Sequence, residues 1–268
     1  MNKKIISLVI MIIIVCNFNS TIASISDTNN QEHFVKVPIL VYHNIMDDYP
    51  PAVSALHISP QEFENHIFAL YKAGYNTITF EQYYDYVQHG EELPEKPIII
   101  TFDDGYLSNY EYAFPILKRY QMKATILIIT DRRGATQPRV TYQHFTWEQA
   151  REMQESGLID IQSHSHTHAD MTRLEWEEAF LDLRRSRYII EKEMGRPCTV
   201  FAYPYGLYNE QLQEMARKAG YKMQLIVGDR GVNTKHTDIR QIKRLTAFGG
   251  TTGQELLQMI EENMQIGK

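Results

Sequence analysis

The run IIITFDDGY, from Ile98 to Tyr106, reads as a buried strand that ends in two adjacent carboxylates and a glycine. An apolar run of this length between turn signals suits a strand covered on both faces, as in a parallel sheet. Like charges at the end of such a strand repel, and burying either one alone is costly. Successive strand residues point to opposite sides. Asp103 and Asp104 can therefore share one site only if the chain turns there, which Gly105 permits. A cation between them would turn repulsion into attraction, one acid ligating and the other handling a proton. A simple turn that caps the next helix is the plainer alternative.

Outward from this run, strands and helices alternate. VPILVY (37–42) reads as a first strand. A helix follows from an N-cap at Ser59 and Pro60, with Phe63, Ile67 and Leu70 at helical spacing and a stop at Gly74. NTITF is a short strand, and the next helix stops at Gly90. NYEYAFPILKRY is helical, with Pro115 shifting its start or kinking it. KATILIIT is a strand. Thr146 caps a helix that ends at Gly157, with Glu148 near the capping-box position. LIDIQSH is a strand, and a long amphipathic helix then runs to Gly195. CTVFAYP, YKMQLIV and IKRLTAF are the last strands, with helices after the first and the third. This order predicts an α/β fold with right-handed crossovers: a closed or nearly closed barrel of about seven parallel strands, in a single domain. An open doubly wound sheet is the alternative. Either way, functional residues gather at the C-terminal ends of the strands.

Four strands deliver polar clusters at that end: His43; Asp103 and Asp104; His164, His166 and His168; and Pro204, Tyr205 and Gly206. His164 and His168 are four residues apart and would face the same way on a helical turn, with His166 pointing elsewhere. Two imidazoles and a carboxylate suit Zn²⁺ with an open position for water.

The chain has 268 residues and a net charge of −6, with no basic tract, which argues against nucleic acid as a partner. Residues 1–23 read as a signal peptide: MNKK, an apolar run too short for a span, then small residues, with cleavage after Ala23. An uncleaved anchor is the alternative, and Cys16 raises a lipid anchor, although Val15 stands where a small residue is expected. Cleavage removes Lys3 and Lys4 and no acid, which takes the net charge from −6 to −8. Residues 24–36 are polar and read as a linker, and 37–268 read as the single folded domain. The mature chain then keeps only Cys198, which reads as a buried structural thiol.

TFDDGY, SHSHTH and FAYPYG, in this order and about sixty and then forty residues apart, resemble the motifs of the polysaccharide deacetylases, the NodB-type carbohydrate esterases. The resemblance spans about Lys36 to Gln265. It implies a distorted (β/α) barrel and a divalent metal, commonly zinc. By motif, it makes Asp103 the catalytic base and Asp104, His164 and His168 the metal ligands. Pro204, Tyr205 and Gly206 become the substrate-side turn, with the Tyr205 N–H helping to hold the oxyanion. The chain departs from the pattern in three places. Tyr203 stands where many members carry arginine, the Asp-Trp motif that pairs with that arginine is not evident, and the C-terminal Leu-x-His that supplies the acid is missing. LVYHNI, FAYPYGLYN and IKRL instead resemble the branch of poly-N-acetylglucosamine deacetylases from biofilm systems, which assigns the acid to His43. Arg244 in IKRL is a candidate to orient Asp103, with a surface or structural role as the alternative. Most of the seventeen tyrosines are expected in the core.

The implied chemistry is metal-assisted amide hydrolysis of N-acetylglucosamine polymer, poly-N-acetylglucosamine or peptidoglycan, by an exported monomer. Association with membrane or cell wall would run through the N-terminus. An esterase acting on acetylated xylan, a deacetylase of small N-acetyl sugars, and an inactive glycan-binding barrel are the competing readings.

Overall fold

A computed structural model describes residues 34–47, 49, 51–132, 142–228 and 230–266. The signal segment, its cleavage site and Cys16 lie outside the described residues. So does most of the expected linker. Its last residues, however, belong to the fold. The Phe34 ring stands edge-on to His236, 4.4 Å between centroids, and Val37 bridges Asn233.

Among the described residues ten strands form: β1 (Ile39–Tyr42), β2 (Asn44–Ile45), β3 (His57–Ile58), β4 (Asn76–Thr77), β5 (Pro97–Phe102), β6 (Ala124–Ile128), β7 (Ile159–Ser163), β8 (Val200–Ala202), β9 (Met223–Leu225) and β10 (Leu245–Thr246). Seven α-helices of the described residues alternate with them: α1 (Pro60–Lys72), α2 (Phe80–His89), α3 (Phe114–Tyr120), α4 (Trp147–Glu155), α5 (Trp176–Met194), α6 (Glu210–Ala219) and α7 (Gly253–Gln265). The main sheet runs β10-β1-β5-β6-β7-β8-β9, all parallel, with β4 beside the start of β5. The expected seven-stranded parallel architecture is thus present. The chain from Ile242 to Thr246 joins its edges, because Ile242 bridges Leu225 of β9 while Leu245 pairs with Leu40 of β1. β2 and β3 make a separate parallel pair at the rim.

The period-2 rule sorts the side chains into two layers. Leu40, Ile98, Ile100, Phe102, Ile126 and Ile161 face outward into the larger core beneath the helices. Ile39, Ile99, Leu127, Val200 and Leu225 face inward, where Phe80 and Tyr83 of α2 join them. Asp103, one step beyond Phe102, falls on the inward set, as does His164 one step beyond Ser163. Local signals set the helix starts. Ser59 caps α1 and forms a capping box with Glu62. Thr146 caps α4, where the reciprocal partner is Gln149 rather than Glu148, because only the third helical residue reaches back to the cap. Pro115 has its effect earlier than a kink: a single π turn, Asn109–Ala113, precedes α3. Pro115 has no N–H for the regular ladder, and the Phe114 N–H bonds back to Asn109 O.

Candidate active site

The two acids reach one site because the chain turns at Asp104 itself. Asp104 has φ +69°, and the Gly105 N–H donates to Asp103 O at 2.8 Å, so the reversal begins one residue before the glycine. Both carboxylates are buried, at 3% and 7% exposure.

His164 and His168 also converge, with 3.2 Å between their Nε2 atoms, but no helical turn brings them together. His164 sits at the strand end. The loop after it turns back through Ser165 at φ +72° and His168 at φ +59°. His166 points away to Thr130 Oγ1, 2.8 Å from its Nδ1. Asp104 Oδ1 lies 3.7 Å from His164 Nε2 and 3.4 Å from His168 Nε2. Tetrahedral ligands about 2.0–2.1 Å from one zinc ion stand roughly 3.3 Å apart, so these spacings fit the ion. The His164 Nδ1 lies 2.9 Å from Ala202 O, a contact that protonates Nδ1 and turns the Nε2 lone pair to the site. The residues therefore fit a zinc-like ion by donor type, spacing and tautomer.

Asp103 faces the same space from the other side. Arg244, 1% exposed, clamps it with both arms: Nη1 to Oδ1 at 2.6 Å and Nη2 to Oδ2 at 2.9 Å. The guanidinium also reaches Thr101 Oγ1 and Ile226 O. Burial alone would raise the Asp103 pKa, but Arg244 and His164 outweigh it and hold the carboxyl well below its ordinary range. Arg244 is thus neither a surface arginine nor remote from the base. Tyr203, at the position where many family members have arginine, turns to the outer layer, where its hydroxyl bonds Gln224 Oε1.

His43 Nε2 lies 4.0 Å from Asp103 Oδ2, and its Nδ1 is buried without a hydrogen-bond partner among the described residues. Burial lowers the His43 pKa, while Asp103 and Asp104 pull it back up. The π turn places the Asn109 amide against His43 O at 2.8 Å, which fixes the backbone there.

The Pro204 turn closes through Gly206 N–H to Tyr203 O and Leu207 N–H to Pro204 O, and neither bond uses the Tyr205 N–H. Tyr205 and Gly206 are both left-handed, at φ +60° and +69°. A Cβ on Gly206 would stand 2.6 Å from Val227 Cγ1, so this position takes only glycine without a shift. The Tyr205 ring, 63% exposed, stands edge-on to His168 with centroids 4.6 Å apart.

The motifs assigned no role to two neighbours. Tyr106 hydrogen-bonds Asp104, and burial together with that acid raises its pKa. Asp182 on α5 binds the histidine loop. A carboxylate on a helix face otherwise made of Ala179, Leu183, Ser186, Ile190 and Met194 is the signal that could have marked it.

Residues 90–224 match the family model for polysaccharide deacetylase. The Bacillus subtilis protein YxkH is 32% identical over 226 residues, covering 84% of this chain and 76% of the relative. A poly-β-1,6-N-acetyl-D-glucosamine N-deacetylase of Staphylococcus epidermidis is 29% identical over 199 residues, 70% of this chain and 67% of that protein. The solved structure of the Streptococcus pyogenes deacetylase PplD in complex with acetate superposes with a TM-score of 0.76 at 26% identity, covering 85% of this chain and 99% of PplD. Fold, motif order and these matches together make this chain a member of the polysaccharide deacetylase family, hydrolases that remove N-acetyl groups from polysaccharides.

Proposed function

We propose that this protein is an exported, divalent-metal-dependent deacetylase of β-linked N-acetylglucosamine polymer, poly-N-acetylglucosamine or peptidoglycan, which releases acetate. The observation that carries this reading is the meeting of an Arg244-clamped Asp103 with the Asp104, His164 and His168 donor set. The name of the staphylococcal relative supports the polymer, and the acetate bound to PplD supports the product. The apolar run at residues 5–15 supports export.

Asp104, His164 and His168 would hold a divalent ion such as zinc, which would supply Lewis acidity at this site. Asp103, whose pKa Arg244 holds down, accepts a proton from the attacking water. Its bidentate partner prevents it from rotating away. The Tyr205 N–H, held by two consecutive left-handed residues, is the oxyanion donor on the rim. His43 gives a proton to the leaving amine, which would otherwise depart as an unstable anion. Its Nε2 faces Asp103 at 4.0 Å, so base and acid work on one side of the reacting group. Pro204, Tyr205 and Gly206 shape the substrate side of the cleft, and the exposed Tyr205 ring offers a face to a sugar.

The test is acetate release from poly-N-acetylglucosamine oligomers and from peptidoglycan by metal-loaded protein. Assays for a new amine against a new alcohol separate this activity from an esterase. Asp103→Asn is expected to lose at least about 100-fold in kcat, in line with loss of a general base, while binding metal as before. Release of acetate from neither polymer would overturn the substrate reading, and full activity in Asp103→Asn would overturn the base.

A further inference from the structure

The loop that carries the two histidines does not hold itself. Five successive N–H groups, His164 to His168, all have partners. His164 donates to Ile128 O (2.9 Å), Ser165 to Ser163 Oγ (3.3 Å) and His168 to Ser165 Oγ (2.8 Å). Those of His166 and Thr167 reach a helix, α5. His166 N–H donates to Asp182 Oδ1 at 2.7 Å, and Thr167 N–H to Asp182 Oδ2 at 3.0 Å. The Thr167 hydroxyl adds a third donor to Oδ2 at 2.6 Å. Asp182 is 7% exposed and sits midway along α5, on the helix's buried face. A buried carboxylate must find its partners within the protein, and here both oxygens find them in one loop. On the other side, Thr130 N–H and Asp131 N–H hold Ser165 O and His166 O, so the loop is gripped between α5 and the end of β6.

The grip has a task. Ser165 and His168 sit at φ +72° and +59°, a region that non-glycine residues avoid and that persists only when surrounding contacts impose it. The second of these turns brings His168 back against His164 and Asp104. We propose that Asp182 is a positioning residue of the metal centre: it clamps the 166–167 backbone so that His168 stays in its left-handed conformation with Nε2 aimed at the site. Asp182 touches none of the three ligand side chains and acts through the loop backbone. The proposal rests on the reading of Asp104, His164 and His168 as metal ligands.

The test is metal binding, independent of deacetylation. Zn²⁺ affinity is measured by competition with a chromophoric chelator, and the geometry by the visible spectrum of the Co²⁺-substituted protein. Thermal unfolding of the metal-free protein reports folding separately. Asp182→Ala is expected to bind Zn²⁺ about 10–100-fold more weakly, the range for lost support around a ligand, with a changed Co²⁺ spectrum. Thr167→Ala, which keeps both backbone bonds, is expected to stay within about threefold of the unmodified protein. If Asp182→Ala does not fold, Asp182→Asn keeps the shape and one acceptor but sets an NH₂ against the second N–H, and an intermediate loss is expected. A purely structural role would lower the metal-free unfolding temperature and leave affinity and spectrum unchanged, and that result overturns the proposal. Failure of the unmodified protein to bind either ion would overturn the metal-centre reading itself, and this inference with it.

Discussion

Arg244 and Asp103 form a buried pair with two hydrogen bonds at the centre of the site. Removing one partner of such a pair leaves a charge without water or counter-ion, which costs about 3–5 kcal/mol. Arg244→Met is therefore expected to lower stability by about that much at pH 7, read by urea unfolding. Asp103→Leu combined with Arg244→Met should recover part of the loss, because both charges are then gone. A double variant as unstable as the sum of the singles would show that the pair does not interact. Linkage gives the sign of the pH effect. The folded pKa of Asp103 is depressed, so its stabilisation is present above the unfolded value near 3.8 and is lost as pH falls. Arg244 is legible in the sequence only as a candidate, because a guanidinium can swing through several ångströms and nothing in IKRL says which way it points. Asp103 itself was legible, since acids at the end of a buried strand demand a partner.

At the scale of elements, α1 and α7 pack closely because Gly253 opens α7. A Cβ there would stand 2.6 Å from both Ala69 Cβ and Asn65 O of α1. The His66 Nε2, 2.9 Å from Thr251 O, fastens the same junction just before α7 begins. Gly253→Ala is expected to force the helices apart and cost about 1–3 kcal/mol by overpacking, seen as a lower thermal midpoint. An unchanged midpoint would mean that the junction is looser than the geometry states. Helix starts were largely readable, since a cap and the residue three positions on are a local code. The two histidines meet through a left-handed loop rather than a helical turn. The spacing of four was right, but positive φ at Ser165 and His168 is imposed by Asp182, Thr130 and Asp131, all distant in sequence.

For the whole molecule, buried carboxyls at the two ends of the strands are shifted in opposite directions. At the C-terminal end carboxylates are paired with cations or imidazoles and held ionised. At the other end, Asp160 near the start of β7 lines a cleft of about 310 Å³. Burial raises its pKa to about 6, against an opposing bond from Gln162 and the charge of Arg196. A carboxyl with a raised folded pKa binds its proton more tightly when folded, so stability falls as pH rises from about 4 to about 6. Asp160→Asn is expected to stabilise the protein by about 1–2 kcal/mol at pH 7, allowing for solvent screening at this half-buried group, and to lose that advantage at pH 4. Denaturant unfolding at the two pH values checks it, and an equal effect at both would refute the assignment.

The sequence by itself determined the parallel α/β architecture, because apolar strands alternating with capped helices leave few other ways to bury both faces. It also determined which side chains stand at the C-terminal rim, because a strand's period of two and its end point are local properties. Only the tertiary structure decided how those side chains meet. Asp104 sits in a left-handed turn, Arg244 reaches Asp103 from beside β10, two strands from β5, and Tyr203 turns outward. Each of these depends on contacts between residues tens to more than a hundred positions apart, and backbone strain at a rim can be held only by neighbours that the chain brings close by folding.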